Sequence, residues 1–102
     1  MGWSVRLSEQ AETDLQQAVS FLTSKSPAAA ERLGLGLVKT IFSLANLPNR
    51  GRSVLGRPGF RRVLHQPWFV IFYRVDDIES VVEIVRIWDA RQDPSGLRLG
   101  SD

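Results

Sequence analysis

The hydrophobic period of this chain changes once, and that change limits the folds open to it. Up to Leu47 the apolar residues recur at helical spacing: Ala11, Leu15, Ala18, Val19 and Leu22, then Ala30, Leu33, Leu37, Ile41 and Leu44. From Phe60 to Trp88 the period is two, in runs rich in β-branched and aromatic residues. Helices segregated from strands define an α+β domain, in which a helical layer covers one face of a mostly antiparallel sheet.

Local signals place the elements. Trp3 to Leu7 alternates and reads as a short first strand. Ser8 is a helix cap, and Glu9, Glu12 and Asp14 set negative charge in the first turns, where the helix dipole favours it. Helix one is expected over Ser8 to Thr23. Ser26-Pro27 starts the second helix, since proline at the first helical position loses no hydrogen bond. That helix is expected from Pro27 to Leu47, ended by Pro48-Asn49-Arg50-Gly51. Gly34 and Gly36 inside it each cost about 1 kcal/mol relative to alanine, which close approach to helix one would explain. Residues 50–59 read as a loop, followed by strands over Phe60–His65, Trp68–Val75 and Val81–Trp88. The expected order is β-α-α-β-β-β, an antiparallel meander with a helical hairpin on one face. Residues 1–94 form the single domain, and 95–102 a flexible C-terminal tail.

The strands do not alternate apolar and polar, as a sheet with one wet face should. Phe69, Ile71, Tyr73 and Val75 share one face of the middle strand; Trp68, Val70, Phe72 and Arg74 share the other. In the last strand strict alternation puts Val82, Ile84, Arg86 and Trp88 on one face, and Val81, Glu83, Val85 and Ile87 on the other. A single helical hairpin leaves the second face with an apolar patch rimmed by arginine. Either that patch is a binding surface, or strong twist folds the sheet over it.

Composition narrows the chemistry. The chain has 102 residues, 43% hydrophobic and 24% charged, with no cysteine. Disulfides, thiolate–zinc sites and a cysteine nucleophile are therefore excluded. The lone histidine, His65, and the acidic turn Asp76, Asp77 and Glu79 build no recognisable metal or acid–base centre, and neither metal nor cofactor is expected. No apolar run approaches the ~20 residues of a membrane span, and the first residues carry no apolar signal core, so a cytoplasmic location without membrane association is expected. All but two of the 13 basic residues are arginine, whose planar fork suits carboxylate or phosphate. Arg50, Arg52, Arg57, Arg61 and Arg62 crowd one loop and strand with no acid among them. With Arg74, Arg86, Trp88, Arg91 and Asp93 they form the expected surface for a target or partner.

The pattern resembles the RelE/ParE toxin superfamily over roughly residues 3 to 94. The resemblance rests on Val5-Arg6-Leu7-Ser8 with Ala11 and Asp14-Leu15, on Ala29-Ala30 and Ile41, and on Leu44-Ala45-Asn46-Leu47-Pro48 with Gly51. It continues through Pro58-Gly59-Phe60-Arg61-Arg62, residues 68–75 and residues 82–93. It implies a toxin held inactive by a cognate antitoxin in a hetero-oligomer. RelE-like relatives cut ribosome-bound mRNA with several basic residues and a C-terminal tyrosine. Here Arg61 falls at one basic position and Arg91 lies near the late arginine, but Val63 and Val70 stand at other basic positions and no tyrosine follows Tyr73. ParE-like relatives lack that set and inhibit DNA gyrase. The expectation is therefore a ParE-like, non-enzymatic inhibitor of gyrase or a related topoisomerase, with a ParD-like antitoxin. An mRNA endonuclease using Arg61 and Arg91 as catalytic residues, or a non-toxic binding module, are the alternatives.

Overall fold

Ser8 ends the first strand and starts the first helix, and this junction organises the computed structural model, which describes residues 3–99. Strand β1 (Ser4–Leu7) runs parallel to β5 (Val81–Asp89), and the Ser8 amide continues the ladder by donating to the Ile84 carbonyl at 2.9 Å. The Ser8 hydroxyl accepts from the Ala11 amide at 3.0 Å, capping α1 (Glu9–Thr23), and donates to the Val85 carbonyl at 3.1 Å. The chain leaves the sheet here, so beyond Val85 the edge of β5 has no neighbouring strand.

Ser26 caps α2 (Pro27–Ser43) by accepting from the Ala29 amide at 3.2 Å. This helix ends a turn earlier than the apolar spacing predicts. Leu44 stays buried at its C-cap, and residues 44–46 form a turn whose Ala45 carbonyl receives the Trp3 amide. The stripe thus outlasts the helix because the turn keeps Leu44 on the core side. After α2 come β2 (Arg52–Ser53), β3 (Phe60–His65), β4 (Phe69–Asp76) and β5. The sheet order is β1-β5-β4-β3-β2, with β2 to β5 antiparallel and β1 adding one parallel edge. The two-residue β2, in the stretch expected as loop, carries no period long enough to read.

Two apolar clusters fill the two faces. Between helices and sheet lie Ala11, Leu37, Ile41, Leu44, Val63, Phe69, Ile71, Tyr73, Val82, Ile84 and Ile87. On the other face Val70, Phe72, Val85 and Trp88 meet Leu99, with Val54, Phe60 and Leu97 against them. The face expected to stay open is therefore covered by the end of the chain. A short 3-10 turn at Pro94–Gly96 sends residues 97–99 back across the sheet, and Leu99 is 2% exposed. Residues 100–102 of the expected tail lie outside the described part. The face assignment within β5 also changes. The register shifts between Phe72 and Tyr73, which pair with Arg86 and Ile84, so Val85 is an extra residue. A bulge inverts the parity of every residue beyond it. Ile87 consequently joins the helix-side cluster and Trp88 the opposite one.

The glycines of α2 serve two surfaces. A Cβ on Gly34 would lie 3.4 Å from Val19 of α1, the expected helix–helix approach. Gly36 instead faces β3: its Cβ would come within 3.2 Å of the His65 ring. His65 Nδ1 shares a 2.9 Å hydrogen bond with Thr40 Oγ1, and burial lowers its pKa below 6.5. The folded state thus prefers neutral His65, and below pH 6.5 the unfolded chain binds the proton more readily. Stability should fall as pH drops below about 6.5 and level off once the folded imidazole is protonated; His65→Gln should flatten that part of a urea-denaturation series.

Gly51 is tighter still. A Cβ there would stand 2.6 Å from the Arg62 carbonyl oxygen and 2.7 Å from the Tyr73 hydroxyl, which receives the Gly51 amide at 2.8 Å. Gly51→Ala should cost about 1–3 kcal/mol in chemical denaturation, because backbone must move to admit the methyl.

Candidate functional site

Where β1 stops, α1 takes over the edge of β5 through one carboxylate. Asp14, 8% exposed, accepts the Ile87 amide on Oδ2 at 3.0 Å. It also accepts Arg86 Nε on Oδ2 at 2.8 Å and Arg86 Nη2 on Oδ1 at 3.1 Å, and Gln10 Nε2 reaches Oδ1 at 3.0 Å. The sequence placed Asp14 as a helix-dipole charge. Its partners are 72 and 73 positions away, which no local pattern reveals.

Beyond this tie a groove of about 750 Å³ opens between α1 and the end of the meander. Gln17, Phe21 and Lys25 line one side; Trp68, Trp88 and Arg91 line the other. Phe21 is 60% exposed, and Lys25 Nζ lies 5.1 Å from its ring centre. Opposite, the Arg91 guanidinium stacks 3.8 Å over Trp68 and grips Asp89 with Nε at 3.0 Å and Nη2 at 2.7 Å. The hydrogen bonds from Arg91 hold the Asp89 carboxyl below its ordinary pKa and raise that of Arg91. Each wall therefore offers an aromatic face backed by a cation, suited to a partner with apolar and acidic side chains. Phe21, Lys25 and Trp68 were missed by the sequence reading; the available signal was a phenylalanine on the polar side of α1.

The predicted residues divide between this groove and the far edge of the sheet. Arg86, Trp88 and Arg91 line the groove. Arg86 is largely committed to Asp14, also donates to the Arg98 carbonyl at 3.3 Å, and lies 5.2 Å from the Trp88 ring. Asp93 accepts the Ser95 amide at 3.0 Å, which lowers its pKa and shapes the turn that returns the chain to the sheet. Arg74 pairs with Glu83 at 2.8 Å on the sheet surface.

Arg50, Arg52, Arg57, Arg61 and Arg62 gather at the opposite edge, around β2 and the start of β3. Arg50 donates to the Ser43 hydroxyl at 2.8 Å, and Arg61 to the Gly51 carbonyl at 2.8 Å, so both brace the segment leaving α2. Arg61 sits opposite Tyr73, whereas Arg91 follows Asp89, which sits opposite Phe69. At strand spacing these arginines are separated by about 13 Å along the strands and about 10 Å across them. The structure does not bring them together. Tyr73 is fully buried, and His65 is packed on α2 at the sheet end away from Arg61. Among the described residues no group of three or more His, Cys, Asp or Glu could hold a metal ion. No helix among them is long and apolar enough to cross a membrane.

This architecture, two helices on a five-stranded sheet, is shared with solved structures of ParDE and RelE toxins. Residues 5–94 match the family described as ParE toxin of type II toxin–antitoxin system, parDE. The chain belongs to that family, within the RelE/ParE toxin superfamily. It is similar to Toxin RelE1 of Caulobacter vibrioides, 36% identical over 91 residues, covering 86% of this chain and 94% of that protein. Toxin RelE2 of the same organism is 38% identical over 78 residues, covering 76% and 84%. Among solved structures, the chromosomal ParDE system of P. aeruginosa superposes with a TM-score of 0.71 at 23% identity, covering 83% of this chain and 92% of that one. The RelBE2 toxin–antitoxin complex of Mycobacterium tuberculosis gives 0.63 at 26% identity, covering 85% and 96%.

Removing the edge tie tests the site's scaffold. Asp14→Ala strands the Arg86 charge and the Ile87 amide together, and should cost about 3–5 kcal/mol in equilibrium unfolding. Asp89→Asn, at an exposed pair, should change stability by less than about 1 kcal/mol.

Proposed function

We propose that this toxin acts as a ParE-like, non-nucleolytic inhibitor of DNA gyrase or a related topoisomerase, and is neutralised by a cognate ParD-like antitoxin. The observation that carries the reading is the separation of Arg61 from Arg91. Cleavage of a phosphodiester by in-line attack needs charge stabilisation and proton transfer at one point. Here Arg61, at one RelE-type basic position, and Arg91, near another, occupy opposite corners of the sheet, each bonded to its own neighbours. The phenol of Tyr73 and the imidazole of His65, the side chains suited to proton transfer, are turned to internal hydrogen bonds. The antitoxin half of the reading draws on the named complexes among the structural neighbours. It also draws on exposed apolar side chains of the helical hairpin: Phe21, which lines the groove, and Leu35, Val38 and Phe42 on α2. Since residues 97–99 occupy the second sheet face, the groove rather than that face is the proposed antitoxin seat.

One observation favours a second reading: the two Caulobacter relatives are both named RelE. Ribosome-dependent mRNA cleavage is its signature, and Arg61→Ala and Arg91→Ala should each abolish it.

The deciding assay is supercoiling of relaxed plasmid by gyrase with antitoxin-free protein, alongside a translating-ribosome cleavage assay. Inhibition with trapped cleaved DNA, relieved by antitoxin, is the expected result. Intact supercoiling together with cut mRNA would replace this proposal with the RelE-like one. Inactivity in both assays, with normal growth on induction, would leave a non-toxic binding module. Phe21→Asp should weaken antitoxin binding by about tenfold or more while leaving the fold intact, as read by calorimetry and circular dichroism.

A further inference from the structure

The outer edge of the sheet contains a pairing that strand energetics disfavours. Arg52 of β2 lies directly opposite Arg62 of β3. Cross-strand partners in an antiparallel pair project to the same face with their Cβ atoms about 5 Å apart, and like charges in that arrangement repel. The pairing of β2 with β3 has only one other register position, Ser53 opposite Arg61. Half of this short pairing is thus a like-charge contact.

Among the described residues, no acidic group neutralises it. Arg52 and Arg62 are both exposed, and neither side chain has a hydrogen bond or ion pair among the described residues, unlike those of Arg50, Arg61, Arg74, Arg86 and Arg91. Between Arg32 and Val75 the sequence contains no Asp or Glu. Arg62 neighbours Phe72 on β4, and Phe72 neighbours Arg86 on β5. Of the two acids on β5, Glu83 is already shared by Arg74 at 2.8 Å and Arg6 at 3.6 Å, and Asp89 is held by Arg91 at 2.7 Å.

We infer that Arg52 and Arg62 form a binding site for a phosphate group, supplied by a nucleic-acid backbone or by a free polyphosphate. Two facing guanidinium forks bring two positive charges and several donors to one point, where a single carboxylate supplies two oxygens and one negative charge. A phosphate group has further acceptor oxygens, so a second fork adds bonds. Its negative charge between the arginines turns repulsion into attraction. Binding at this site clamps β2 onto β3 and thereby orders the loop from Val54 to Gly59, which closes on the Val54 amide to Phe60 carbonyl bond of 3.0 Å. The inference stands apart from the antitoxin and topoisomerase reading, and either can fail alone.

The test uses the full chain with Arg62→Gln and Arg52→Gln, whose positions are exposed and whose folding is checked by circular dichroism. Inorganic pyrophosphate and a short oligo-dT are titrated at matched ionic strength, with poly-glutamate as the carboxylate control. Pyrophosphate should raise the thermal midpoint of the wild type and slow hydrogen exchange at Val54. Each variant should have a higher midpoint than wild type without ligand, through relief of the repulsion, yet bind pyrophosphate about tenfold more weakly. If the phosphate comes from a nucleic-acid backbone, oligo-dT binds more tightly than pyrophosphate. Its log K against log salt then loses about one unit of slope in each variant. If pyrophosphate binds as tightly or more tightly, the site takes free polyphosphate. Three results overturn the inference: no stabilisation by either phosphate ligand beyond sodium chloride, unchanged binding in both variants, or tighter binding of poly-glutamate than of both.

Discussion

The structure depends on how the open edge of β5 is closed. A strand edge exposes amides and carbonyls that must find partners or water. Along the first half of β5, β1 supplies them; past Val85 one carboxylate from α1 does. Asp14 binds the Ile87 amide and Arg86 together, and so fixes α1 against the sheet at a defined height and rotation. A buried acid with no partner is costly, and an arginine losing its partner is comparably so. Against a total stability of about 5–15 kcal/mol, the tie is a large share of what holds the helical layer in place.

The positions of the other features follow from that junction. Because β1 stops at Leu7, a groove remains between α1 and the end of the meander, walled by Phe21 on one side and Trp68 with Arg91 on the other. Arg86 reaches Asp14 and also the Arg98 carbonyl, so the same guanidinium that secures the helix helps direct the returning chain. That segment lays Leu97 and Leu99 on Val70, Phe72, Val85 and Trp88. A sheet apolar on both faces is thereby closed by helices on one side and by its own C-terminal residues on the other.

The arginines bear on function through their division of labour. Arg50 and Arg61 brace the exit from α2, Arg86 anchors α1, and Arg91 stacks on Trp68 at the groove. A toxin domain assembled this way has many basic residues but no single point where they converge with a proton-transfer group. The Arg52–Arg62 pair, unneutralised among the described residues, stands out against this background, since the other arginines of the loop and sheet have internal partners.

The sequence by itself determined the two helices, four of the five strands and their order. The helical and strand periods, the Ser8 and Ser26 caps and the proline after Ser26 act within a few residues, so they are legible without tertiary context. The family resemblance was legible for the same reason, being carried by short segments in a fixed order. Three features were decided only by the tertiary structure. The bulge at Val85 reversed which of Ile87 and Trp88 faces the helices, and parity cannot be counted across an extra residue whose presence depends on the partner strand. Asp14 became a buried edge partner rather than a dipole charge because its ligands come from the other end of the chain. The second face was closed by Leu97 and Leu99, residues in a segment without period. Each is a long-range contact set by strand register, and register is fixed only when the whole sheet has assembled.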